Sequence, residues 1–331
     1  MSPKAIALLS GGLDSTLAVR FILDQGIEVE ALNFVTPFCN CNRQGRCEAA
    51  HVAEKFDIPL KIIAFTQEFF RVLRKPAHGY GSGMNPCIDC RILMFSRARE
   101  RMEETGADFV FTGEVLGQRP MSQHLRAMRV IDRESGLEDR LLRPLSARLL
   151  APTLPEREGI VDRDKLLAIQ GRARKPQITL AAEHGIYDYP CPAGGCLLTD
   201  PGFARRMRDL VEREPDFNLN DVSLLKVGRH FRVSSVAKAV VGRSEEENGR
   251  ILELSREADL FFEVKSCGSP VTLLRGEAGR EEIRLAAALT ARYSDSSGTE
   301  TRVHYGGHYA DLGGKVLVSP LSEHDLSRLR V

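Results

Sequence analysis

The sequence lacks the features of a membrane-spanning or secreted protein. Its 331 residues contain no uncharged apolar run of about 18 residues, the length that a membrane-spanning helix needs. The apolar stretch after Lys4 is too short for a secretory signal and soon reaches Gly11 and Gly12. The sequence therefore predicts a cytoplasmic protein with no membrane partner, whose first β-strand begins near Lys4.

A surplus of charge of one sign is also missing. Lys and Arg total 46 and Asp and Glu total 45, so the net charge of +1 does not by itself indicate a nucleic-acid partner. Locally, however, residues 119–175 contain 13 basic and 8 acidic residues. This Arg-rich segment is a candidate surface for nucleic acid, although a solvated face of arginines would have the same composition.

The first 115 residues alternate short β-like runs with helical patterns. Strands are predicted at 4–9, 27–35, 58–65 and 108–112, and helices near 14–24, 47–56 and 91–104. This alternation is typical of βαβ units, so the chain is predicted to begin with an α/β domain built on a parallel sheet. One further helix is predicted near 162–185, ending at Gly185.

The pattern changes near residue 200. A charged helical stretch at 202–214 and a turn-rich segment are followed by short β-rich runs around helical patterns at 244–255 and 279–293. Three parts are therefore predicted: an α/β domain over 1–200, a linker over 201–222 and a smaller α+β domain over 223–331.

The most informative motif lies where the first strand meets the first helix, and reads Ser10-Gly11-Gly12-Leu13-Asp14-Ser15. Its glycines let the backbone approach an anion, and the helix start and the serine hydroxyls supply hydrogen-bond donors. The motif, called the phosphate loop below, therefore predicts a phosphate site. Since Asp14 would repel phosphate, it is assigned to a Mg²⁺ ion lying between them.

The loop lacks the lysine of a Walker motif and the glycine spacing of a dinucleotide fingerprint, which disfavours a kinase or a dehydrogenase. It resembles the PP-loop ATP pyrophosphatases, whose S-G-G-x-D-S pattern it matches at each fixed position. The resemblance implies an adenine nucleotide alpha-hydrolase-like fold, ATP at this loop, and attack of a substrate oxygen on the α-phosphorus with loss of pyrophosphate. By its place at the end of the second strand, Phe34 is either a neighbour of adenine or a core aromatic.

A second motif follows the predicted strand at 108–112. It reads Thr112-Gly113-Glu114-Val115-Leu116-Gly117-Gln118, with Ser122-Gln123 close behind, and resembles a segment of tRNA 4-thiouridine synthetases. Ligands of parallel sheets bind at the carboxyl ends of strands, so Gly113 is expected near the nucleotide. The resemblance implies a tRNA substrate in which an adenylated uridine oxygen is replaced by sulfur.

Eight cysteines in a chain without a secretion signal favour metal ligands or reactive thiols over disulfides. Cys87 and Cys90 precede a predicted helix, whose amides are expected to lower their pKa, and Cys196 follows two glycines. These three would hold a 4Fe-4S cluster if the chain resembles cluster-dependent tRNA thiolases. Cys90 and Cys196 would instead form a persulfide and a resolving thiol if it resembles tRNA 2-thiouridylases. The cluster is favoured because it explains Cys87, and Cys191 is the alternative third ligand.

A second group of cysteines follows the second predicted strand. It comprises Cys39, Cys41 and Cys47, with His51 one helical turn after Cys47. Residues at i and i+4 share one face of a helix, so zinc is a candidate ligand here. The spacing matches no zinc-finger pattern.

The last 110 residues resemble the RNA-binding domain of NFACT proteins. The resemblance rests on Val241-Gly242-Arg243, Glu247-Asn248, Asp259-Leu260-Phe261-Phe262-Glu263-Val264 and Gly268-Ser269-Pro270-Val271. Here Phe261 replaces a tryptophan, and Glu263 and Pro270 replace histidines, which removes groups able to stack or donate protons. Arg243, Lys265 and Arg275 remain as candidate phosphate contacts, or as ordinary surface charges.

Together these features predict an ATP-dependent tRNA sulfurtransferase in which Arg119, Arg126 and Arg129 also contact RNA. Its sulfur donor would be a cysteine desulfurase persulfide or inorganic sulfide. Two alternatives stay open: adenylation and sulfur insertion on a small molecule, and a non-catalytic nucleotide-sensing RNA- or ribosome-binding protein. A homodimer is also left open.

Overall fold

The computed structural model describes residues 2–39, 42–43, 46–189 and 195–331. The chain divides into two compact units, Met1–Thr199 and Asp200–Val331, and each is described by itself. None of the helices in the described parts of the chain combines the length and apolar character needed to cross a bilayer.

The first unit contains seven strands and seven α-helices within its described residues. The strands are β1 (Lys4–Leu8), β2 (Glu28–Val35), β3 (Asn42–Arg43), β4 (Arg46–Cys47), β5 (Leu60–Ala64), β6 (Phe109–Thr112) and β7 (Leu141–Leu142). The helices are α1 (Leu13–Leu23), α2 (Glu48–Lys55), α3 (Thr66–Arg74), α4 (Cys87–Thr105), α5 (Leu125–Ser135), α6 (Leu154–Arg157) and α7 (Lys175–Glu183). Short 3₁₀ turns lie at Ala147–Leu149, Arg163–Lys165 and Leu197–Thr199.

Five of these strands form one parallel sheet in the order β5-β2-β1-β6-β7, which confirms the predicted α/β class. β1 lies between β2 and β6, and Leu8 at its end is level with Leu32 and Thr112. Strands that follow β1 are thus added first on one side of it (β2, β5) and then on the other (β6, β7), so the strand order reverses at β1. In sheets of this kind, ligands bind outside the carboxyl ends of the strands at that change of direction, which is where the phosphate loop begins.

The first sheet is apolar on both faces because helices cover both. Along β1, Ala5 and Ala7 pack with the cluster that includes Val19 of α1, while Ile6 packs with the cluster that includes Phe95 of α4. This alternation follows from the two-residue period of a strand. The central strand is therefore anchored from both sides at the point where it leads into the phosphate loop.

Three expectations for the first unit need correction. The helix predicted near 162–185 is only the 3₁₀ turn Arg163–Lys165 and, later, α7. Pro176 in the first turn of α7 suits a helix start at that point, because it lacks an N–H donor. The helices α3 and α5 are absent from the sequence prediction. α4 begins at Cys87, so the paired cysteines lie inside its first turn rather than ahead of it.

The second unit is an antiparallel sheet with helices. Its elements are α8 (Pro201–Arg213), α9 (Leu219–Leu224), β8 (Arg229–Arg232), β9 (Ala237–Val241), α10 (Glu245–Glu253), β10 (Leu260–Glu263), β11 (Thr272–Gly276), α11 (Arg280–Arg292), β12 (Thr301–Gly306), β13 (Gly314–Val318) and α12 (Glu323–Leu329). The strand order is β13-β12-β10-β11-β9-β8, and each neighbouring pair is antiparallel. Ala286 and Leu289 of α11 pack into the core formed with Phe262 on the sheet.

The segment predicted as a linker, 201–222, is largely helical and belongs to the second unit. α8 buries Phe203 and Met207, which lie four residues apart on one face. α9 begins with a capping box, in which Asn218 and Asp221 each bind the other's backbone amide. The helical stretch predicted at 202–214 is α8, whereas the turn-rich segment after it contains a helix start that the sequence did not predict.

Candidate functional site

The phosphate loop connects β1 to α1 and is tightly packed at Gly11. This residue has a φ of +77°, and a Cβ atom there would lie 2.5 Å from the carbonyl carbon of Glu48 and 2.6 Å from the amide of Ala49. Both are backbone atoms in the first turn of α2. Only glycine fits such a position, so the loop backbone rests directly on that helix start.

Hydroxyl groups fix the conformation of the loop. The Ser15 hydroxyl donates to the Gly12 carbonyl at 2.9 Å, and the Ser10 and Ser15 Oγ atoms are 3.1 Å apart. Gly12 is the N-cap of α1, and among the described residues no side chain caps this helix. The amides of its first turn therefore face the loop, where they are suited to bind an anion.

Asp14 occupies the first turn of α1. Its Oδ2 accepts a hydrogen bond from Gln118 Nε2 at 3.1 Å and lies 3.6 Å from the Arg174 guanidinium. Its Oδ1 is buried and has no hydrogen-bond partner among the described residues. Mg²⁺ prefers carboxylate oxygens as ligands, and this unpartnered oxygen lies beside an anion-binding loop. Asp14 therefore fits the predicted metal contact.

Gly113 brings the second motif against the phosphate loop. A Cβ atom at Gly113 would lie 2.5 Å from the carbonyl carbon of Asp14, which is backbone and cannot turn aside. Asp14 and Gly113 are 99 positions apart in the sequence, so the two motifs meet through long-range packing. Gly113 lies directly after β6, as the parallel-sheet argument predicts.

A buried ion-pair network holds the chain just after Gly113. Glu114 is 3% exposed and accepts a hydrogen bond from Arg143 Nε at 3.0 Å, and Arg143 also binds both carboxylate oxygens of Asp132. Burial raises the pKa of Asp132 although Arg143 lowers it. Burial lowers the pKa of Arg143, but Glu114 and Asp132 outweigh it and raise that pKa overall. This network is the scaffold of the second motif.

Arg119, predicted as an RNA contact, lies between the phosphate loop and the cysteines. Desolvation lowers its pKa, Arg91 and Arg174 lower it further, and Cys87 and Asp14 raise it. These five groups therefore share one electrostatic neighbourhood. Three arginines beside the phosphate loop suit an anionic substrate, and the sequence analysis singled out neither Arg91 nor Arg174 for this place.

The other predicted RNA contacts are dispersed. Arg126 and Arg129 are exposed on α5, and Lys265 is exposed in the second unit. Arg243 is committed to Glu247, with their side chains 2.7 Å apart.

Arg275 is not available as a phosphate contact. Its guanidinium lies 2.7 Å from Asp259 and 3.1 Å from Asp221, and it donates to the Leu254 carbonyl at 2.9 Å. It is only 10% exposed. Arg275 therefore stabilises the second unit from within.

Four cysteines, Cys39, Cys87, Cys90 and Cys196, lie close enough to influence one another electrostatically. Cys87 and Cys90 are in the first turn of α4. Cys39 and Cys196 lie opposite each other in an isolated antiparallel bridge. This set is called the cysteine group below. Sequence spacing placed three of its members together but assigned Cys39 elsewhere.

The environments of Cys90 and Cys196 favour protonated thiols, because they raise the pKa of both. Desolvation raises the pKa of Cys90; Arg91 lowers it, and the other three cysteines raise it again. Desolvation raises the pKa of Cys196 to about 12, although a hydrogen bond from the Leu198 backbone lowers it. The lowered pKa predicted for Cys90 from its helix start is therefore wrong, because loss of solvation outweighs the helix amides.

A short path of contacts links the cysteine group to the phosphate loop. The Asn85 side-chain amide lies 3.1 Å from Cys87 Sγ and 3.8 Å from Met121 Sδ. Met121 is three residues beyond Gln118, which binds Asp14. A substrate bound between Cys87 and Asp14 would contact both the nucleotide and the thiols.

The described residues do not form a metal centre. Within residues 2–39, 42–43, 46–189 and 195–331, no three His, Cys, Asp or Glu side chains are arranged to hold a metal ion. Cys87, Cys90 and Cys196, the predicted cluster ligands, are electrostatic neighbours. The alternative ligand Cys191 lies outside the described residues.

The residues predicted for zinc are not gathered. Cys39 belongs to the cysteine group, Cys47 packs partly against the core of the first unit, and Cys41 lies outside the described residues. His51 Nε2 lies 2.7 Å from Asp188 Oδ2 instead.

Phe34 lies half-buried near the end of β2. Its ring meets that of Phe65 edge to face, with centroids 5.6 Å apart. This contact fits a core aromatic, and its place at the strand end also fits a neighbour of adenine.

Two family models match separate parts of the chain. Residues 1–148 match the family described as thiamine biosynthesis protein (ThiI), and residues 228–330 match the NFACT protein RNA binding domain. The matched ranges lie one in each unit of the structure.

The curated relatives match either a short part of the chain at higher sequence identity or a longer part at lower identity. A tRNA-specific 2-thiouridylase MnmA of Trichormus variabilis is 24% identical over 238 residues, which are 69% of this chain and 64% of that protein. The MnmA 2 protein of Clostridium botulinum is 34% identical over 123 residues, 34% of this chain and 35% of its own length. The chain thus spans about a third to two thirds of the length of these relatives.

Solved structures show weak likeness. A 4-thiouridine synthetase–RNA complex with bound ATP has a TM-score of 0.36 at 24% identity, over 64% of this chain and 51% of that one. The C-terminal part of the fibronectin/fibrinogen-binding protein from Streptococcus suis has a TM-score of 0.29 at 11% identity, over 80% and 94%. Because both scores are low, the fold class rests on the strand order and pairing of the chain itself.

Proposed function

From a ThiI-family domain at residues 1–148 and an NFACT-type RNA-binding domain at residues 228–330, we infer that this chain is an ATP-dependent tRNA sulfurtransferase. It adenylates a uridine carbonyl oxygen and replaces that oxygen with sulfur. Two matched relatives are named tRNA-specific 2-thiouridylases, which supports the same reaction class.

One observation supports the proposal: a chain of contacts connects the phosphate loop with the cysteine group. Asp14 of the phosphate loop contacts Gln118 at 3.1 Å, and the following residues reach Cys87 through Met121 and Asn85. An ATPase that only senses nucleotide has no use for adjacent thiols. A sulfurtransferase needs both groups within reach of one substrate atom.

In the proposed first step, ATP binds with its phosphates at residues Ser10, Gly11, Gly12 and Ser15. The uridine carbonyl oxygen forms a bond to the α-phosphorus, and the bond to the departing pyrophosphate breaks. A Mg²⁺ ion would be held through Asp14 Oδ1 and would neutralise phosphate charge. The amides of the loop and nearby arginines stabilise the remaining negative charge. Positioning and charge stabilisation account for most of the catalysis in phosphoryl transfer.

In the second step, a sulfur nucleophile attacks the carbon that bears the adenylated oxygen, and AMP leaves. We assign sulfur handling to Cys90 and Cys196, with a cysteine desulfurase persulfide or inorganic sulfide as donor. No step is derived through a 4Fe-4S cluster, for which Cys87, Cys90 and Cys196 stay the predicted ligands. A cluster would give anaerobically purified protein an absorption near 400 nm that Cys87→Ala removes, and zinc at Cys39, Cys41 and Cys47 would appear by metal analysis.

We assign tRNA binding to both units. In the first, Arg126 and Arg129 present exposed positive charge on α5; in the second, Lys265 is exposed within the NFACT-type domain. Such contacts bind phosphates and position RNA without reading its sequence. Their removal should weaken RNA binding and flatten its salt dependence.

The deciding experiment measures pyrophosphate release from ATP with and without tRNA that lacks thiolated uridine. The expected result is release that requires tRNA, together with 4-thiouridine or 2-thiouridine in the recovered nucleosides when a sulfur donor is added. Splitting of ATP between the β- and γ-phosphates would contradict the proposal, and so would no reaction with ATP.

One observation favours a second candidate. The matched family is described as a thiamine biosynthesis protein, which suits adenylation and sulfur insertion on a small molecule. In that case pyrophosphate release would proceed equally well without RNA once a small acceptor is supplied. The same assay therefore separates the two candidates.

A further inference from the structure

We propose that the second unit binds a single-stranded segment of RNA on one uncovered patch of its sheet. The patch, called the open face below, consists of Arg302 and His304 on β12 and of Lys315 and Leu317 on β13. The proposal rests on the RNA-dependent function proposed above, and it names the surface and the form of RNA that this function uses. The sequence prediction named none of these four residues as an RNA contact.

Strand pairing puts the four side chains on the same side of the sheet. In the antiparallel pair of β12 and β13, Arg302 is opposite Leu317, and His304 is opposite Lys315. Residues opposite each other in such a pair point to the same face, with Cβ atoms about 4.5–5.5 Å apart. Diagonal neighbours are about 7–8 Å apart, which is the separation expected for Arg302 and Lys315. His304 and Leu317 form the other diagonal, so charged and uncharged groups alternate around the patch.

Helices cover this side of the sheet elsewhere but leave the open face in solvent. Where the sheet is formed by β9 and β11, Val240 on the same side packs with Ile251 of α10. The sheet ends at β13, where Leu317 is 53% exposed, and both cations of the open face are exposed as well. The open face is therefore accessible to a ligand from solvent.

The cations of the open face keep their charge available. None of the ion pairs or hydrogen bonds described for this unit involves the side chain of Arg302, His304 or Lys315. Glu263 of β10 is opposite His304 on the other side of β12, and its Oε1 accepts a hydrogen bond from the Tyr309 hydroxyl at 2.9 Å. Arg302 and Lys315 are therefore suited to bind phosphate groups.

The alternation of charged and uncharged groups fits a single strand of RNA better than a duplex. In a single strand, phosphates alternate with bases whose flat faces are free to pack on protein side chains. In a duplex the bases stack on one another, and a protein meets mainly phosphates, 2′-hydroxyls and base edges. On the open face, the two cations bind phosphates while the His304 ring and the Leu317 side chain contact an unstacked base. Loops and ends of a folded RNA supply such segments.

The test measures binding of the full-length chain to a fluorescent single-stranded RNA of about 12 nucleotides by anisotropy, at several salt concentrations and without ATP. We expect Arg302→Gln/Lys315→Gln to bind at least about tenfold more weakly. Its salt slope should fall by about 1.4, since each phosphate contact to a single strand contributes about 0.7. Leu317→Ser should weaken binding and leave the salt slope unchanged, because it removes apolar contact and no charge.

The matched control is Arg280→Gln/Arg284→Gln, which removes the same charge elsewhere on this unit. Both arginines are exposed on α11, and α11 packs on the other side of the sheet, where Ala286 meets Phe262. The control should bind RNA as the unaltered chain does. Equal urea midpoints for all variants would show that lost binding is not lost folding.

Four outcomes would overturn the proposal. Unchanged affinity in Arg302→Gln/Lys315→Gln is the first, and an equal loss in the control variant is the second, because overall charge would then bind the RNA. The third is equal or tighter binding of an RNA hairpin duplex. The fourth is a dimer that Leu317→Ser dissociates in sedimentation, which would assign the open face to a second copy of the chain.

Failure of this proposal is distinct from failure of tRNA thiolation. The binding assay contains no ATP, so it does not depend on adenylation or on the thiols. Unchanged binding in Arg302→Gln/Lys315→Gln, together with pyrophosphate release that requires tRNA, would reject the open face and keep the proposed function. Weakened binding without any tRNA-dependent release would do the reverse.

Discussion

Asp14 is the residue on which the proposed ATP chemistry depends most directly. Asp14→Asn keeps the shape of the side chain and the contact region of Gln118, but weakens a Mg²⁺ ligand. We expect pyrophosphate release to fall at least about 100-fold, as is typical when one charge-stabilising group is removed. The control is Asp24→Asn at the end of the same helix, where the exposed carboxylate pairs with Arg20 and lies 4.0 Å from His184. Retention of more than a tenth of the rate in Asp14→Asn would contradict this role.

Gly113 is expected to tolerate no side chain. In Gly113→Ala the new methyl group meets the backbone of Asp14 at 2.5 Å, so the phosphate loop must shift. We expect weaker ATP binding and a loss of about 1–3 kcal/mol in unfolding free energy, as for other overpacked sites. Gly249→Ala is the control, because nothing lies within 4 Å of its Cβ position in α10. Equal ATP affinity in both variants, measured by calorimetry, would show that the loop yields.

Cys196 provides a pH-dependent readout. Because its pKa is raised to about 12, the thiolate fraction should keep increasing about tenfold per pH unit between pH 8 and pH 10. Iodoacetamide modification of Cys196, followed by mass spectrometry, should therefore accelerate throughout this range. Glutathione serves as the reference, since an unperturbed thiol levels off above a pKa of about 8.5. A plateau for Cys196 near pH 9 would mean that its thiol is not desolvated.

At the scale of elements, the buried network after β6 should be important for stability. Arg143→Met leaves the partly buried Asp132 without its cation and leaves the buried Glu114 with Arg91 alone, at 3.4 Å. Loss of one partner in such a pair costs about 3–5 kcal/mol of unfolding free energy. Arg133→Met on α5 is the control, since its ion pair with Glu134 is at the surface and worth less than about 1 kcal/mol. Urea unfolding measures both, and similar losses would contradict the assignment.

The sequence was most informative where structure is local. The short apolar run of β1 and the glycines of the phosphate loop predicted the first strand, the turn and α1, because each depends on neighbouring residues. Short amphipathic helices were missed: α5 has a buried stripe at Met128 and Ile131, but its arginines concealed it. The sequence prediction extended α7 too far toward residue 162. Apolar residues repeat with the same spacing in two separate helical segments as in one continuous helix, so this spacing does not reveal the break.

The candidate site was predictable only in its local parts. The phosphate loop and Gly113 follow from motifs, but the approach of Arg174 to Asp14 joins residues 160 positions apart and has no local signal. The same is true of Cys39, whose partner Cys196 lies far along the chain. Its closeness in sequence to Cys41 and Cys47 suggested a zinc site instead. Long-range pairing of this kind is decided by the packing of the whole unit.

At the scale of the whole molecule, each unit has its own buried core. In the second unit, Phe262 and Ala286 belong to a cluster made only of residues from that unit. We therefore expect the fragment Asp200–Val331 to fold by itself, with a single cooperative transition in urea. Circular dichroism and the sharpness of the transition measure this. A fragment without a cooperative transition would show that its core is insufficient.

The placement of the phosphate loop between two backbones has a consequence for ATP recognition. Gly11 packs against the backbone at the start of α2, and Gly113 packs against the backbone of the loop at Asp14. With both neighbours made of main chain, the loop has little freedom left to lose when a nucleotide arrives. Preorganisation of this kind reduces the entropy that binding must overcome. The ligand must then adapt to the shape of the loop, because the loop does not adapt to the ligand. A nucleotide whose phosphates are spaced differently is therefore expected to bind poorly.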